Sequence, residues 1–108
     1  MENQSPFLRM QQVERLLKGM LRAIDVDVLD QGEKKALAGM QRLAVEARLD
    51  IRDYQLSETR EEQLGKAADA KKSLNKLRAS LLAAANAFSP ADIAQLDAQI
   101  EQIRSGLI

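Results

Sequence analysis

Histidine and cysteine are both absent from this sequence. Their absence excludes zinc sites built from Cys and His, Cys–His and Ser–His–Asp nucleophiles, and the Glu-x-x-His pairs that hold two metal ions in helical bundles. Glycine-rich phosphate loops are missing as well, because neither G-x-x-x-x-G-K nor G-x-G-x-x-G occurs. We therefore predict a protein that is not an enzyme, with no catalytic residues, no cofactor and no metal ion.

Long apolar runs are also missing. The longest, residues 81–85, is far shorter than the roughly 20 residues needed to span a bilayer. The N-terminus lacks the charged and then apolar pattern of a signal peptide, and a chain without cysteine is a poor candidate for a disulfide-stapled secreted scaffold. These features predict a cytoplasmic protein of bacterial style that does not bind a membrane.

Aromatic residues are few, and the net charge is zero. The chain has two Phe, one Tyr and no Trp, and its 16 basic residues balance 16 acidic ones. A core of Leu, Ile, Val, Met and Ala suits helices packed on helices better than a sheet. A domain that relies on phosphate contacts usually has a basic excess, so neutrality argues against nucleic-acid binding. The length of 108 residues predicts one domain over residues 1–108.

The sequence does contain four stripes of apolar residues that recur in steps of three and four, the period of an α-helix. They predict an all-α fold, an antiparallel up-down four-helix bundle, with helices over about 6–25, 32–55, 60–87 and 90–105. The stripes are Met10, Val13, Leu17, Met20, Ile24; Leu37, Met40, Ala44, Ala47, Ile51, Tyr54; Ala67, Ala70, Leu74, Leu77, Leu81, Ala84, Phe88; and Ile93, Leu96, Ile100, Ile103, Leu107.

Capping residues mark three of the predicted helix starts. Ser5 and Ser89 each precede a proline. Serine is a favoured N-cap residue, and proline is well tolerated at the first position of a helix. Thr59 followed by Glu62 matches a capping box. Helices one, three and four therefore have defined starting points in the sequence.

The boundary between segments two and three, residues 55–59, contains neither Gly nor Pro. The stripe of segment two, extended in heptad steps, runs out of phase with the stripe of segment three. Since one position turns a helix by about 100°, an uninterrupted helix would point its two stripes in different directions. We predict a turn near residues 55–59; the alternative is one long central helix in a helical dimer.

Two sets of acidic residues are candidates for metal binding or acid–base chemistry. Asp25, Asp27 and Asp30 do not fit an EF-hand loop, which needs Gly at the sixth position and Glu at the twelfth, so we interpret them as a solvated loop. A second acidic strip alternates with arginines, which indicates a surface network of ion pairs. The strip and its arginines are Glu46, Asp50, Asp53, Arg42, Arg48 and Arg52.

The basic residues are the most informative charged group. Residues 5–24 have four basic side chains against one acidic, and residues 64–86 have five against one. If helices one and three are neighbours, these side chains merge into a patch that attracts phosphate or an acidic protein. No aromatic residues are interleaved, which argues against the reading of single-stranded bases. The candidate partner-binding residues are Arg15, Lys18, Arg22, Lys71, Lys72 and Lys76.

Three functional hypotheses follow from these patterns. The first is a non-enzymatic adaptor or accessory protein that mediates protein–protein interaction, with a partner helix in a groove between helices. The second is a nucleic-acid-binding accessory protein that uses a basic patch on helices one and three. The third is self-assembly into a homo-oligomer, because Leu43, Val45, Leu49 and Leu82 lie off the main stripes.

In its length and its four-helix pattern, the chain resembles the small bacterial four-helix proteins found near intervening sequences and diversity-generating retroelements. Those proteins are accessory nucleic-acid binders, so the resemblance implies the second hypothesis. It extends over the architecture and includes no sequence motif.

Leu77 lies near the centre of the third stripe, so Leu77→Ala is expected to lower the free energy of unfolding by about 2–5 kcal/mol, through lost apolar contact and a residual cavity. Arg15→Ala removes an isolated surface charge and is the control, with an expected change of roughly 0–1 kcal/mol. Urea denaturation measures both. A loss well below about 1 kcal/mol for Leu77→Ala would place the core on another helix face.

Overall fold

The computed structural model describes residues 5–108, in which every regular element is helical. Helix α1 spans Pro6–Arg22, α2 Gln31–Leu56, α3 Arg60–Ala83 and α4 Pro90–Ser105, and short 3-10 turns occupy Val26–Val28 and Ala85–Ala87. The prediction of an all-α four-helix fold is confirmed. The predicted domain of residues 1–108 also includes residues 1–4, which lie outside the described part of the chain. None of the described helices has the length and apolar character needed to cross a bilayer.

Side chains cap the start of all four helices. Ser5, Thr59 and Ser89 each accept a hydrogen bond from the backbone N–H three residues later, at 3.2, 3.1 and 3.1 Å. At α2, Asp30 Oδ1 accepts from the Glu33 N–H at 2.7 Å while Glu33 Oε1 accepts from the Asp30 N–H at 3.1 Å, a complete capping box. Each cap satisfies an amide that the helix itself leaves without a partner, and so fixes where the helix begins.

The capping box predicted at Thr59 is only half formed. The Thr59 hydroxyl accepts from the Glu62 N–H, but Glu62 Oε2 accepts from the Glu58 N–H at 3.4 Å instead of returning to Thr59. The start of α3 therefore lacks the second hydrogen bond of the box, from the N-cap N–H to the glutamate side chain, which the start of α2 has. The predicted start of the helix is unchanged.

The turn predicted near residues 55–59 is confirmed, and the long central helix is not formed. Helix α2 ends at Leu56 and α3 begins at Arg60. Ser57 has an extended backbone, and its hydroxyl donates to the Asp53 carbonyl at 2.8 Å. A serine side chain thus competes for the last helical carbonyls and ends α2 where the sequence has neither Gly nor Pro.

Helices α1 and α3 end earlier than the stripes predict. Helix α1 stops at Arg22 instead of about residue 25, because the Asp25 side chain accepts from the Asp27 N–H at 3.0 Å and begins a separate 3-10 turn. Helix α3 stops at Ala83 instead of residue 87 and is followed by a second 3-10 turn. Ala84 leaves the helical conformation, with φ −111° and ψ 22°, and the tighter 3-10 turn follows it.

The four helices pack as a ring in which α1 and α3 each lie against both α2 and α4. Helices α1 and α3 therefore occupy opposite corners of the bundle. Neighbours run antiparallel: the Phe7 N–H at the start of α1 donates to Gln55 Oε1 at the end of α2, at 3.0 Å. Likewise, Arg9 near the start of α1 donates to Gln102 Oε1 near the end of α4, at 2.8 Å.

The predicted apolar stripes form the core. One cluster of buried side chains draws residues from all four helices. Several positions are alanines, and Ala47, Ala67 and Ala70 are 0 % exposed. Small side chains of this kind let α2 and α3 approach closely. The largest fully buried side chains are Met10, Val13, Leu17, Met40, Ile51, Leu74, Leu77, Leu81, Leu96, Ile100 and Ile103.

Charged side chains bridge α3 and α4 at the rim of the core. Arg78 Nε lies 2.6 Å from Asp97 Oδ1, and Arg78 Nη1 lies 3.4 Å from Glu101 Oε2. Arg104 Nη2 binds Glu101 Oε1 at 2.9 Å. The hydrogen bond from Arg104 is the main reason that the pKa of Glu101 is lowered; partial desolvation opposes it, and the charges of Arg104 and Arg78 add to it.

Glu101→Gln is expected to lower stability at neutral pH and to have less effect in acid. Because the folded pKa of Glu101 is depressed, its carboxylate stabilises the fold above the ordinary value of 4.5, and that stabilisation is lost as the pH falls through the folded value. Urea unfolding of parent and variant between about pH 7 and about pH 2 measures the difference. Glu58→Gln, at an exposed side chain of the α2–α3 turn, is the control. A difference that stays constant across this range would show that the carboxylate charge is irrelevant.

Candidate partner-binding groove

The six predicted binding residues fall into two groups on opposite corners of the bundle. One group lies on α1 and the other on α3, and these helices are held apart by α2 and α4. The condition for one merged basic patch, that helices one and three are neighbours, is therefore not met. The α1 group is Arg15, Lys18 and Arg22, and the α3 group is Lys71, Lys72 and Lys76.

The α3 lysines point in different directions around their helix. Lys71 Nζ donates to the backbone oxygen of Ile108 at 2.9 Å, which ties the last described residue to α3. Lys72 and Lys76 are exposed and lie one turn apart, with the exposed Asp69 one turn before Lys72. This corner of the bundle thus presents two exposed cations next to an acid.

The α1 group instead joins residues of α2 across a groove with a volume of about 590 Å³. Leu17 and Ala44 form its floor and are buried, and Val45 adds an apolar side chain that is 36 % exposed at the α2 edge. We call this surface the α1–α2 groove. Its lining residues are Gln11, Glu14, Arg15, Leu17, Lys18, Gln41, Ala44, Val45 and Arg48.

Antiparallel packing sets the register of the α1–α2 groove. Glu14 Oε1 and Arg48 Nε lie 2.5 Å apart, so these two positions are level across the interface. One turn forward along α1 from Glu14 is Lys18, and one turn back along α2 from Arg48 is Ala44. Arg22 follows Lys18 by one further turn and is exposed. Arg15 and Lys18 therefore line one groove wall, and Arg22 lies one turn beyond it.

Charge in the α1–α2 groove is predominantly positive. Arg15, Lys18 and Arg48 are accompanied by a single acid, Glu14, whose carboxylate is already bound by Arg48. Within residues 5–108, Arg15 and Lys18 form no ion pair. Two unpaired cations beside an apolar floor can bind a carboxylate or phosphate while the floor accepts an aliphatic side chain.

The acidic strip of α2 forms only part of the surface network of ion pairs that the sequence predicts, since Arg48 pairs with Glu14 of α1 instead. Glu46 lies 3.9 Å from Arg42 in an i,i+4 pair, and Asp53 lies near two basic side chains. Asp50 Oδ2 accepts from the hydroxyl of Ser73, a buried residue of α3, at 3.0 Å. In the part of the chain that the structure describes, no three His, Cys, Asp or Glu side chains are placed to hold a metal ion.

Arg48 and Val45 are the groove residues that sequence reasoning missed. From the sequence, Arg48 is interpreted as a flank of the acidic strip and Val45 as a spare apolar residue. One signal was present: a short connection between helices one and two predicts antiparallel neighbours, which places the acid of helix one near a base of helix two. The spacing of apolar residues does not give the axial register of one helix along another, so it could not predict that Glu14 pairs with Arg48.

Comparison with protein-family models, with curated proteins and with solved structures gives no match to this chain in any of the three. The geometry of the α1–α2 groove is therefore the basis for assigning a function.

Proposed function

We propose that the protein is a non-enzymatic adaptor or accessory protein of the cytoplasm, and that its α1–α2 groove binds an acidic, partly apolar segment of a protein partner. The observation that carries the proposal is the pair of cations, Arg15 and Lys18, that lack an ion-pair partner in residues 5–108 and border an apolar floor. A chain without cysteine needs no oxidising compartment for its fold, which is compatible with this location.

The groove has a length that suits a short helix of the partner. Gln11 to Lys18 covers two turns of α1, about 10 Å at 1.5 Å per residue. A helix that docks in a groove presents side chains at i, i+3 or i+4, and i+7, the same repeat. One aliphatic side chain of the partner can rest on Leu17, Ala44 and Val45, and carboxylates one turn to either side then reach Arg15 and Lys18.

Apolar contact and charge have different roles in this model. An exposed ion pair contributes roughly 0–1 kcal/mol, so the cations alone supply little affinity. Removal of apolar surface from water, at about 25 cal/mol per Å², supplies more when a partner's apolar side chain packs against Val45, the exposed apolar residue of the groove. The cations select an acidic partner and orient it during encounter.

Nucleic-acid binding is the second candidate, because Arg15, Lys18 and Arg48 place positive charge on one side of the bundle. Two observations favour a protein partner instead. Glu14 sits among these cations, and the α3 lysines lie on the opposite corner, so the described residues form no continuous basic stripe for a phosphate backbone. A phosphate backbone, moreover, has no apolar group that would pack against the apolar part of the groove.

Two labelled peptides of about 14 residues, roughly four helical turns, test the proposal. Both contain Leu, Val and Ala at the same positions, and one has Glu and Asp where the other has Gln and Asn. Fluorescence anisotropy is expected to show binding of the acidic peptide and at least about tenfold weaker binding of the amide peptide, with a decrease in added salt. Equal binding of both peptides, or of neither, would refute the proposed groove function.

Charge variants locate the binding site. Arg15→Glu combined with Lys18→Glu should abolish binding of the acidic peptide, and Lys72→Glu combined with Lys76→Glu, on α3, should leave it unchanged. Glu14→Gln removes the acid of the groove and should strengthen binding. Labelled duplex DNA is measured in parallel, because affinity for it should fall with a log–log salt slope of about −0.9 per phosphate contacted. DNA binding of that kind without peptide binding would favour the second candidate.

A further inference from the structure

Residues 25–30, which belong to the connection between α1 and α2, hold apolar side chains in solvent. Val26 is 57 % exposed and Val28 is 75 % exposed. Their turn is nevertheless hydrogen-bonded: the Asp27 N–H donates to Asp25 Oδ1 at 3.0 Å and the Val28 N–H donates to the Asp25 carbonyl at 3.3 Å. We call residues 25–30 the α1–α2 loop. Its ordered backbone fixes two valines in positions where this chain does not cover them.

Aspartates alternate with these valines. The α1–α2 loop reads Asp-Val-Asp-Val-Leu-Asp, and its three acids are exposed. No ion pair joins any of them to a Lys or Arg within the described residues. The loop therefore combines negative charge that is not neutralised with apolar surface that is not covered.

The α1–α2 groove carries the opposite combination, with unpaired cations beside an apolar floor. Loop and groove are adjacent, because the loop connects the same two helices that line the groove and begins three residues after Arg22, which follows Lys18 by one turn of α1, about 6 Å. Within one chain the two surfaces are side by side and cannot meet. They can meet only between two molecules.

We infer, resting on the proposed function of the groove, that its partner is a second copy of this chain and that the α1–α2 loop of each copy occupies the α1–α2 groove of the other. A two-fold axis that lies in the plane of the contact, at right angles to the line from loop to groove and midway between them, exchanges their positions. Both contacts then form together. Such an isologous interface is complete with two chains and leaves no open end for further growth.

Charge selects this arrangement over others. The net charge of the chain is zero, so two copies approach without overall repulsion. Groove against groove would oppose cations, and loop against loop would oppose aspartates, whereas the two-fold pairing brings Asp27 near Lys18 of the other copy twice. Val26 and Val28 then pack against the exposed side chain of Val45, which supplies the apolar contact.

Sedimentation velocity on the full chain, from about 5 to about 500 µM at low salt, tests the inference. The mean mass should rise from that of one chain toward that of two. Asp27→Lys in the loop and Lys18→Glu in the groove each create like-charge contacts and should weaken the dimer at least about tenfold. An equimolar mixture of the two variants should restore dimers, since opposite charges then meet in both contacts. Lys72→Glu, on α3, is the matched control and should behave as the parent.

A mass that stays at one chain, dimers that neither variant weakens, or a mixture that remains monomeric would each overturn the inference. Val26→Ser combined with Val28→Ser leaves every charge in place and should also weaken the dimer, so the result does not depend on one variant that fails to fold. Circular dichroism during thermal unfolding verifies the fold of each variant.

The acidic-peptide assay, run at about 1 µM protein to limit dimerisation, separates the two levels of the model. Protein that stays monomeric up to about 500 µM in sedimentation but binds the acidic peptide in the groove would refute self-pairing and leave the proposed function intact. Protein that forms no dimer and binds no peptide would refute both.

Discussion

Each helix of this protein has one apolar stripe, and all four stripes must be buried at once. A helix with one stripe is covered best when it faces the centre of a ring and touches two neighbours. This requirement puts α1 and α3 at opposite corners, where each packs against α2 and α4. The same requirement places Arg15 and Lys18 of α1 beside the exposed edge of α2. The position of the groove is thus a consequence of how the core closes.

Much of the fold was predictable because its signals are local. The start of α4 follows from Ser89 and the proline after it, since the hydroxyl caps the helix and proline tolerates its first position. The turn after Leu56 follows from the phase difference between two stripes, although no helix-breaking residue marks it. The C-terminal ends of the helices were less predictable. After α1, for example, the side chain of Asp25 accepts a backbone hydrogen bond that begins a 3-10 turn and competes with continuation of the helix.

The candidate site was only half predictable from the sequence, for a different reason. Arg15 and Lys18 were identified because segment one has a local excess of basic residues, which net neutrality conceals. Their true companions, Arg48 and Val45, come from another helix, and the pairing depends on the axial register that Glu14 and Arg48 reveal. Apolar period specifies which face of a helix is buried, but it says nothing of how far one helix slides along its neighbour.

The alanines of the two long helices determine which sequence changes this bundle tolerates. Ala47, Ala67 and Ala70 are fully buried, and a methyl group leaves the backbones near one another with little free volume between them. A larger side chain there must push α2 and α3 apart, at a cost of roughly 1–3 kcal/mol. In the rest of the core, substitutions that remove side-chain volume are the destabilising ones. Between α2 and α3, substitutions that add side-chain volume are destabilising. Sequence divergence in such a protein is therefore expected at the exposed positions of the long helices outside the groove, while the residues between α2 and α3 stay small.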